Sequence, residues 1–316
     1  MPNRRMDRIP SLGPTLRPPY PCVADASVVH QVAAVHALGD CWGMGAEPVS
    51  ALAIAQVPYG IESVVEEDLF QIMAGATAAL KQANCALVGG HTCEGAELAL
   101  GFSVNGMVKR EDVKRKGGMR AGDVLLLTKP IGTGVLFAGD MRHRAQGRWI
   151  EQALTSMRQP SGQAAGVLKR HGATAATDVT GFGLLGHLVE MAKASRVDVT
   201  LELEVVPVLA GALPLMKEGI FSSLQPQNTR LSRAVVNHAM ASSHERYPLL
   251  FDPQTAGGLL ASVPAAAAAE CVRELRAAGY EHTVTIGEVV GPSPAAGEVC
   301  GLVPMVRVLY GGGVPE

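Results

Sequence analysis

The sequence is poor in aromatic and charged side chains. Of its 316 residues 4% are aromatic and 18% are charged, and the formal net charge is −2. A near-neutral chain has no basic field to attract a phosphate backbone, and scarce aromatics leave little surface for base stacking, so nucleic acid is not an expected partner. No apolar run approaches the roughly 20 residues of a membrane-spanning helix. We therefore expect no membrane partner either.

Cysteine is sparse, and common nucleotide motifs are missing. The six cysteines form no Cys-x-x-Cys pair, which argues against a zinc ribbon or a thioredoxin-type centre. Because the sequence shows no secretory signal, these residues are expected to be reduced thiols in a cytoplasmic protein. The Walker A pattern and the protein-kinase motif set are also absent from the sequence. Any nucleotide site must therefore be of another type.

Hydrophobic residues, in contrast, make up 47% of the chain, enough for the cores of two domains of ordinary size. Helical spacings and strand-length apolar runs follow one another without a strict βαβ repeat, which predicts an α+β fold in two domains. The predicted divisions are an irregular, proline-rich segment over residues 1–24, an N-terminal domain over 25–108 and a C-terminal domain over 109–316. The predicted helices are 25–40, 66–84, 149–157, 163–171, 184–194 and 264–278, and the predicted strands are 51–57, 85–88, 98–108, 124–128, 197–203, 283–290 and 303–309.

The most informative segment is Thr177–His187, which reads Thr-Asp-Val-Thr-Gly-Phe-Gly-Leu-Leu-Gly-His. Asp178 stands beside two hydroxyls, just before a glycine-spaced bend and a helix-forming run. The amides of such a bend can point at anionic oxygens while the carboxylate holds a cation between them. An equally simple interpretation is a helix that Asp178 caps through a glycine turn.

Three further glycine-bearing segments are candidates for the same site. Asp40 follows Gly39 near a predicted helix end, where a solvated acid beside a C-cap is the simpler interpretation. Residues 89–92, Gly-Gly-His-Thr, follow a predicted strand and fit a phosphate-contacting loop or an ordinary tight turn. Residues 252–258, Asp-Pro-Gln-Thr-Ala-Gly-Gly, fit a turn or a binding loop. Asp40 and Asp178, which we interpret as strand-associated acids, could jointly hold Mg²⁺, because this hard cation takes oxygen ligands and usually keeps waters and phosphates.

Taken together, these segments resemble those of the selenophosphate synthetase (selenide, water dikinase) family. Their order and spacing run from about Val28 to Tyr310, and the Asp178 and Asp252 motifs form the most specific pair. Related ATP-using families of this fold have different motifs at these places. The segments that carry the resemblance are residues 36–40, 44–48, 89–92, 127–134, 177–187 and 252–258.

The resemblance implies a fold like that of aminoimidazole ribonucleotide synthetase and a homodimer joined through N-terminal sheets, with ATP near the subunit interface. It implies a phosphotransferase that consumes ATP, selenide and water and releases selenophosphate, AMP and phosphate. By position, Asp40 and Asp178 match Mg²⁺ ligands, and Asp40 also lies at the ATP site. Gly90, His91 and Thr92 match a loop that contacts the ATP of the partner subunit.

The chain also departs from the family pattern at its start. Family members begin with a glycine-rich segment that carries a reactive Cys or selenocysteine and a nearby Lys, followed by further Mg²⁺ and ATP ligands. Nothing in this sequence matches that region, so the N-terminal domain is expected to be truncated and no catalytic residue is assigned. Cys22 lacks the glycine context and the Lys, and His36 stands where the family commonly has Asn.

Some relatives are fused behind a flavin-dependent pyridine nucleotide-disulfide oxidoreductase, and residues 57–60 and 66–70 look most like that branch. The chain is therefore expected to be a piece of a longer protein. An inactive nucleotide-binding or dimerisation module of the same family remains the alternative function. A different enzyme of the same fold, such as a hydrogenase-maturation protein, is disfavoured by the Thr177–His187 motif.

Overall fold

A computed structural model describes residues 26–292 and 305–310 of the chain. No helix in this part of the chain is long and apolar enough to cross a membrane. The fold divides into two units, one formed by the residues before Lys114 together with Leu154–Gly162, and the other by Lys114–Ala153 and the residues from Gln163 onward. The predicted irregular segment 1–24, which includes Cys22, lies outside the described residues.

The first unit places two helices against one face of a three-stranded sheet. Its sheet has the order β2-β1-β3, with β1 parallel to β2 and antiparallel to β3. Inward side chains of β1 are small, which lets the helices approach closely, and its outward side chains are exposed. The elements in chain order are α1 (Ala26–Gly43), β1 (Glu47–Pro58), α2 (Glu62–Gln82), β2 (Ala86–Gly95) and β3 (Ala99–Met107).

Local sequence accounts for the ends of these helices. Helix α1 stops at Gly43, and Gly45 just beyond it has φ 70°, the left-handed conformation that ends helices most cheaply at glycine. Helix α2 begins with Glu62, whose charge suits the positive end of the helix dipole, and Lys81 lies in its last turn. The predicted helices at 25–40 and 66–84 are therefore confirmed, each with slightly different limits.

The second unit is built on a six-stranded mixed sheet of order β5-β7-β4-β8-β6-β9, in which only the β6–β9 pair of described strands is parallel. Its strands are β4 (Asp123–Leu127), β5 (Ala175–Asp178), β6 (Val197–Glu202), β7 (Leu259–Pro264), β8 (Val284–Pro292) and β9 (Val306–Leu309). The helices after β3 are α3 (Thr133–Asp140), α4 (Gly147–Arg158), α5 (Gly162–Arg170), α6 (Gly183–Ser195), α7 (Ala212–Lys217), α8 (Gln225–Asn228), α9 (His238–Ala241) and α10 (Ala265–Ala277), with 3-10 turns at Thr229–Ala234 and Tyr247–Phe251.

Strand β7 lies at the centre of one hydrophobic core and was not predicted. Five of its residues, from Leu259 to Val263, are buried, and its apolar side chains pack with those of α5 and α10. A strand buried on both faces has a continuous apolar pattern rather than an alternating one, so periodicity gives no signal for it. Its place matters for the site, because β7 pairs with β5 so that Leu259 lies opposite Asp178.

Candidate functional site

Asp178 is the last residue of β5, and its side chain is half-buried. The chain then turns through exposed Gly181 and Phe182 and enters α6 at Gly183. Gly183 has φ 70°, and a Cβ there would lie 2.9 Å from the Leu250 carbonyl oxygen. Only glycine fits both conditions. Glycine is therefore required where the turn joins the helix, directly after the candidate metal ligand.

His187, at the end of the same motif, holds this turn from inside α6. The Thr180 N–H donates to His187 Nε2 at 3.0 Å, so Nε2 is an acceptor and the ring proton belongs on Nδ1. The ring is 4% exposed, and Nδ1 lies 3.7 Å from Glu190 Oε2. The histidine therefore positions the turn, a role that sequence reasoning missed although the residue closes the motif.

The loop Asp252–Gly258 is joined to the start of α3 by a polar network centred on Gln254. Its Oε1 accepts from the Gly132 N–H at 2.9 Å and from the N–H and hydroxyl of Thr133, both at 3.2 Å. In return, Thr133 Oγ1 accepts from the Thr255 N–H at 3.0 Å. The Gln254 N–H itself donates to the Thr180 carbonyl at 3.0 Å. The three glycine-rich motifs of this unit are thus joined around one buried amide.

Asp252 is fully buried at the N-terminus of α3 and is an element of the same network. One carboxylate oxygen accepts from the Gly134 N–H and from Gln254 Nε2, each at 3.0 Å. Burial nevertheless raises the pKa of Asp252 to about 7, with the hydrogen bonds from Gln254 and Gly134 opposing the shift. The carboxyl satisfies amides at the start of α3. These contacts indicate that Asp252 has a structural role.

Lys129 is another buried ionisable group of the unit, with 2% of its surface exposed. Its Nζ donates to the Ala256 carbonyl at 3.1 Å, and burial lowers the pKa of Lys129 to about 7. Ala256 has φ 49°, which is unusual for a residue with a Cβ. A Cβ at Gly258 would lie 2.5 Å from the backbone nitrogen of Lys129. The predicted binding loop 252–258 is therefore tightly packed against Lys129, in the segment that follows β4.

Asp40 belongs to the other unit and lies in the last turn of α1, where its side chain is half-buried. Asp40 was predicted near a helix end and lies there, but the expectation of a strand-associated acid is wrong, because α1 continues as far as Gly43. Burial raises the pKa of the neighbouring Cys41 thiol to about 12, and the negative charge of Asp40 makes a smaller contribution to this increase. Nearby His36 has its pKa lowered to about 4 by burial, so it is neutral at neutral pH.

Gly90, His91 and Thr92 lie inside strand β2, so the expected loop is wrong as well. The strand runs on to Gly95, pairs with β1 along its whole length and forms one edge of the described sheet. A Cβ at Gly90 would lie 2.0 Å from the Ala53 carbonyl oxygen, so glycine is needed for the strands to approach. His91 and Thr92 are exposed. The segment therefore presents an exposed strand edge with small side chains.

A complete protein cage for a metal is not found in the described part of the chain, which contains no group of three or more His, Cys, Asp or Glu side chains that could hold an ion. Magnesium does not require one, because it usually keeps several waters and binds through one or two carboxylates plus phosphate oxygens. A carboxylate such as that of Asp178, at the end of β5, is a donor of this kind. The described residues contain no His and Cys cluster of the kind that binds zinc or copper.

Comparisons with known proteins agree with the two units. The family described as AIR synthase related protein, N-terminal domain, matches residues 18–108, and the corresponding C-terminal domain matches residues 120–298. Among solved structures, E. coli HypE, a hydrogenase maturation protein, has a TM-score of 0.67 at 18% identity and covers 89% of this chain and 75% of its own. HypE in complex with ATP has a TM-score of 0.61 at 17% identity, over 83% and 71% of the two chains. At these identities the likeness shows the fold, which confirms the predicted two-domain α+β architecture.

Curated sequences give a much closer likeness. The "Selenide, water dikinase" of Bdellovibrio bacteriovorus is 36% identical over 273 residues, which are 85% of this chain and 77% of the relative. The protein of the same name from Trichlorobacter lovleyi is 39% identical over 239 residues, or 76% of this chain and 68% of the relative. With such identity over most of both sequences, the chain belongs to the selenide, water dikinase family of AIR synthase related proteins.

Proposed function

We propose that this protein transfers phosphoryl groups from ATP to selenide and water, giving selenophosphate, AMP and phosphate. The observation that carries the proposal is the Asp178 turn, in which a half-exposed carboxylate at the end of β5 is followed by an exposed turn and the start of α6. Backbone amides at such a place favour anionic oxygens. The identity to curated family members over most of the chain supports the same reaction.

Mg²⁺ is the metal that carboxylate donors suit, and Asp178 and Asp40 are each proposed as a ligand. When bound, Mg²⁺ neutralises charge on the polyphosphate and on the transferring phosphoryl group. The carboxylates are those of Asp178, the last residue of β5, and Asp40, in the last turn of α1.

ATP is proposed to contact the exposed edge of β2 at Gly90, His91 and Thr92, together with Asp40. An edge strand offers backbone N–H groups that are not used within the sheet, and a segment with two glycines lets a ligand approach that backbone closely. The fold is also that of HypE, which has been solved in complex with ATP. These observations support a nucleotide site in the first unit.

A homodimer is proposed to form through the sheet of the first unit. Outward side chains of β1, including Leu52 and Ile54, are 41% and 40% exposed on the face opposite the helices, and Val88 of β2 is also exposed. An apolar sheet face of this kind is typical of an interface. A cytoplasmic location is part of the proposal, supported by four free cysteines among the described residues, as expected in a reducing compartment.

Activity is tested by measuring AMP formation by the purified protein with Mg-ATP, with and without selenide. The proposal expects AMP to form only when selenide is present. Binding of Mg-ATP without any selenide-dependent AMP would instead identify an inactive nucleotide-binding module of the same family.

The metal assignment is tested by Asp178→Asn. Because the amide removes the negative charge that would face Mg²⁺, we expect Mg-ATP to bind at least about tenfold more weakly, equivalent to about 1.4 kcal/mol, as measured by calorimetry. The matched control is Glu202→Gln, which neutralises an exposed acid at the end of β6. Equal Mg-ATP affinity in the two variants would show that Asp178 is only a structural residue at the helix start.

A further inference from the structure

Asn228 joins the two motif loops of the second unit, although it belongs to neither. Its Nδ2 donates to the Gly181 carbonyl at 2.8 Å and to the Phe251 carbonyl at 3.0 Å. Gly181 lies in the turn after Asp178, and Phe251 directly precedes Asp252. The side chain is 7% exposed. Both N–H donors of one buried amide are therefore used to connect backbone from two different loops.

The Asp178 turn depends on such hydrogen bonds because side-chain packing does not hold it at Gly181. That residue is exposed, and a Cβ built there would meet no atom within 4 Å in the described part of the chain. Hydrogen bonds at Thr180 restrain the earlier part of the turn, through His187 and Gln254. The Gly181 carbonyl is restrained by Asn228. The last part of the turn is therefore positioned from α8.

Helix α8 is itself well placed to act as a brace. Gln225, at its first position, is buried and donates from Nε2 to the Pro248 carbonyl at 3.0 Å. That carbonyl belongs to the 3-10 turn Tyr247–Phe251 and not to the turn that follows Asp178. Both amides of α8 are buried and donate to backbone carbonyls, Gln225 to one and Asn228 to two, but only Asn228 contacts the turn.

We propose that Asn228 is a positioning residue for the Asp178 carboxylate, and that it sets the affinity of the protein for its metal–nucleotide complex. The inference rests on the proposed function of Asp178 as a metal ligand. The side chain acts through the Gly181 carbonyl: it fixes the path of the turn and thereby the direction of the strand end that carries the acid. Removing groups that hydrogen-bond a metal ligand directly typically changes metal affinity by about 10–100-fold. Asn228 acts through the backbone of the turn, so we expect an effect at the lower end of this range.

The test compares Asn228→Ala with Gln225→Ala, since each removes one buried amide of α8. Binding of Mn²⁺, a spectroscopic substitute for Mg²⁺, is measured by electron paramagnetic resonance with a non-hydrolysable ATP analogue, and the Mg²⁺ dependence of AMP formation is measured in parallel. For Asn228→Ala we expect about tenfold weaker Mn²⁺ binding and a matching rise in half-saturating Mg²⁺, while the rate at saturating Mg²⁺ stays within about threefold of the original. For Gln225→Ala we expect unchanged metal dependence at a similar loss of thermal stability.

Equal metal dependence in these two variants would overturn the inference. If Asn228→Ala does not fold, Asn228→Asp is measured instead, because it keeps the shape of the side chain but replaces the donating amide with an accepting oxygen. We expect this variant to weaken Mn²⁺ binding as well. Asp178→Asn separates the two hypotheses. If Asp178→Asn leaves Mn²⁺ binding intact, the metal assignment itself fails; if it weakens binding while both Asn228 variants do not, only the role of Asn228 fails.

Discussion

Asp252 allows a direct test of the polar network that joins the glycine-rich loops, because its ionisation should oppose folding. The carboxyl is fully buried, and its pKa is raised from 3.8 to about 7. In the unfolded chain it would titrate near its ordinary value. Between about pH 4 and pH 7, the folded protein therefore holds a proton that the unfolded chain has released. Stability contributed by this group is present at low pH and is lost as pH rises through about 7.

The magnitude follows from the shift and from the opposing contacts. From 3.8 to about 7 is a little over three units, and each unit corresponds to about 1.4 kcal/mol, so ionisation costs the folded state up to about 4 kcal/mol. Asp252→Asn removes the charge and retains an oxygen that can accept from Gly134 and Gln254. We expect the variant to gain stability over the original as pH rises from 5 to 8, by about 2–4 kcal/mol at the upper end.

The assay is urea unfolding at several pH values between 5 and 8, followed by the fluorescence of Trp149, which lies in the same unit as Asp252. A Trp42→Phe background removes the other tryptophan, which lies in the first unit. Other titrating groups, such as Lys129 with its pKa of about 7, act equally in both proteins and cancel in the difference. Parallel stability curves for Asp252→Asn and the original protein would refute the reasoning.

Two further predictions concern the first unit. Gly90→Ala should destabilise that unit by more than about 2 kcal/mol, because the new Cβ would lie 2.0 Å from the Ala53 carbonyl oxygen; Gly60→Ala, where a Cβ would make only ordinary contacts at 3.6 Å or more, is the control in thermal unfolding, and equal midpoints would contradict the close approach. Leu52→Glu should convert a dimer to monomers in sedimentation experiments by placing a charge on the exposed apolar face of β1, whereas a charge at the exposed Val290 of β8 should leave the sedimentation coefficient unchanged; a dimer that survives Leu52→Glu would place the interface elsewhere.

Several elements were predictable because their signals are local. The helix predicted at 264–278 is observed at Ala265–Ala277, because alanine has the highest intrinsic propensity for helix. The C-terminal end of α1 is explained by Gly43 and Gly45. The α+β class and the family membership also needed only the sequence, because the glycine-rich motifs occur in a characteristic order.

Other features were not predictable because their causes lie far away in sequence. Strand β7 carries no alternation, since both of its faces are buried. Residues 89–92 were expected to form a loop because glycines usually end strands. In the structure the same glycines allow β2 to continue, since a neighbouring backbone approaches too closely for any side chain.

The sequence alone determined the family, through the order of its motifs, and it indicated the candidate residues Asp178, beside its glycine turn, and Asp40. The tertiary structure decided how these residues are held. Asn228 meets Gly181 from 47 residues away, and Gln254 meets Thr133 from 121 residues away. No local propensity specifies such pairs, because a buried amide takes whichever backbone groups the packed strands and helices bring within reach.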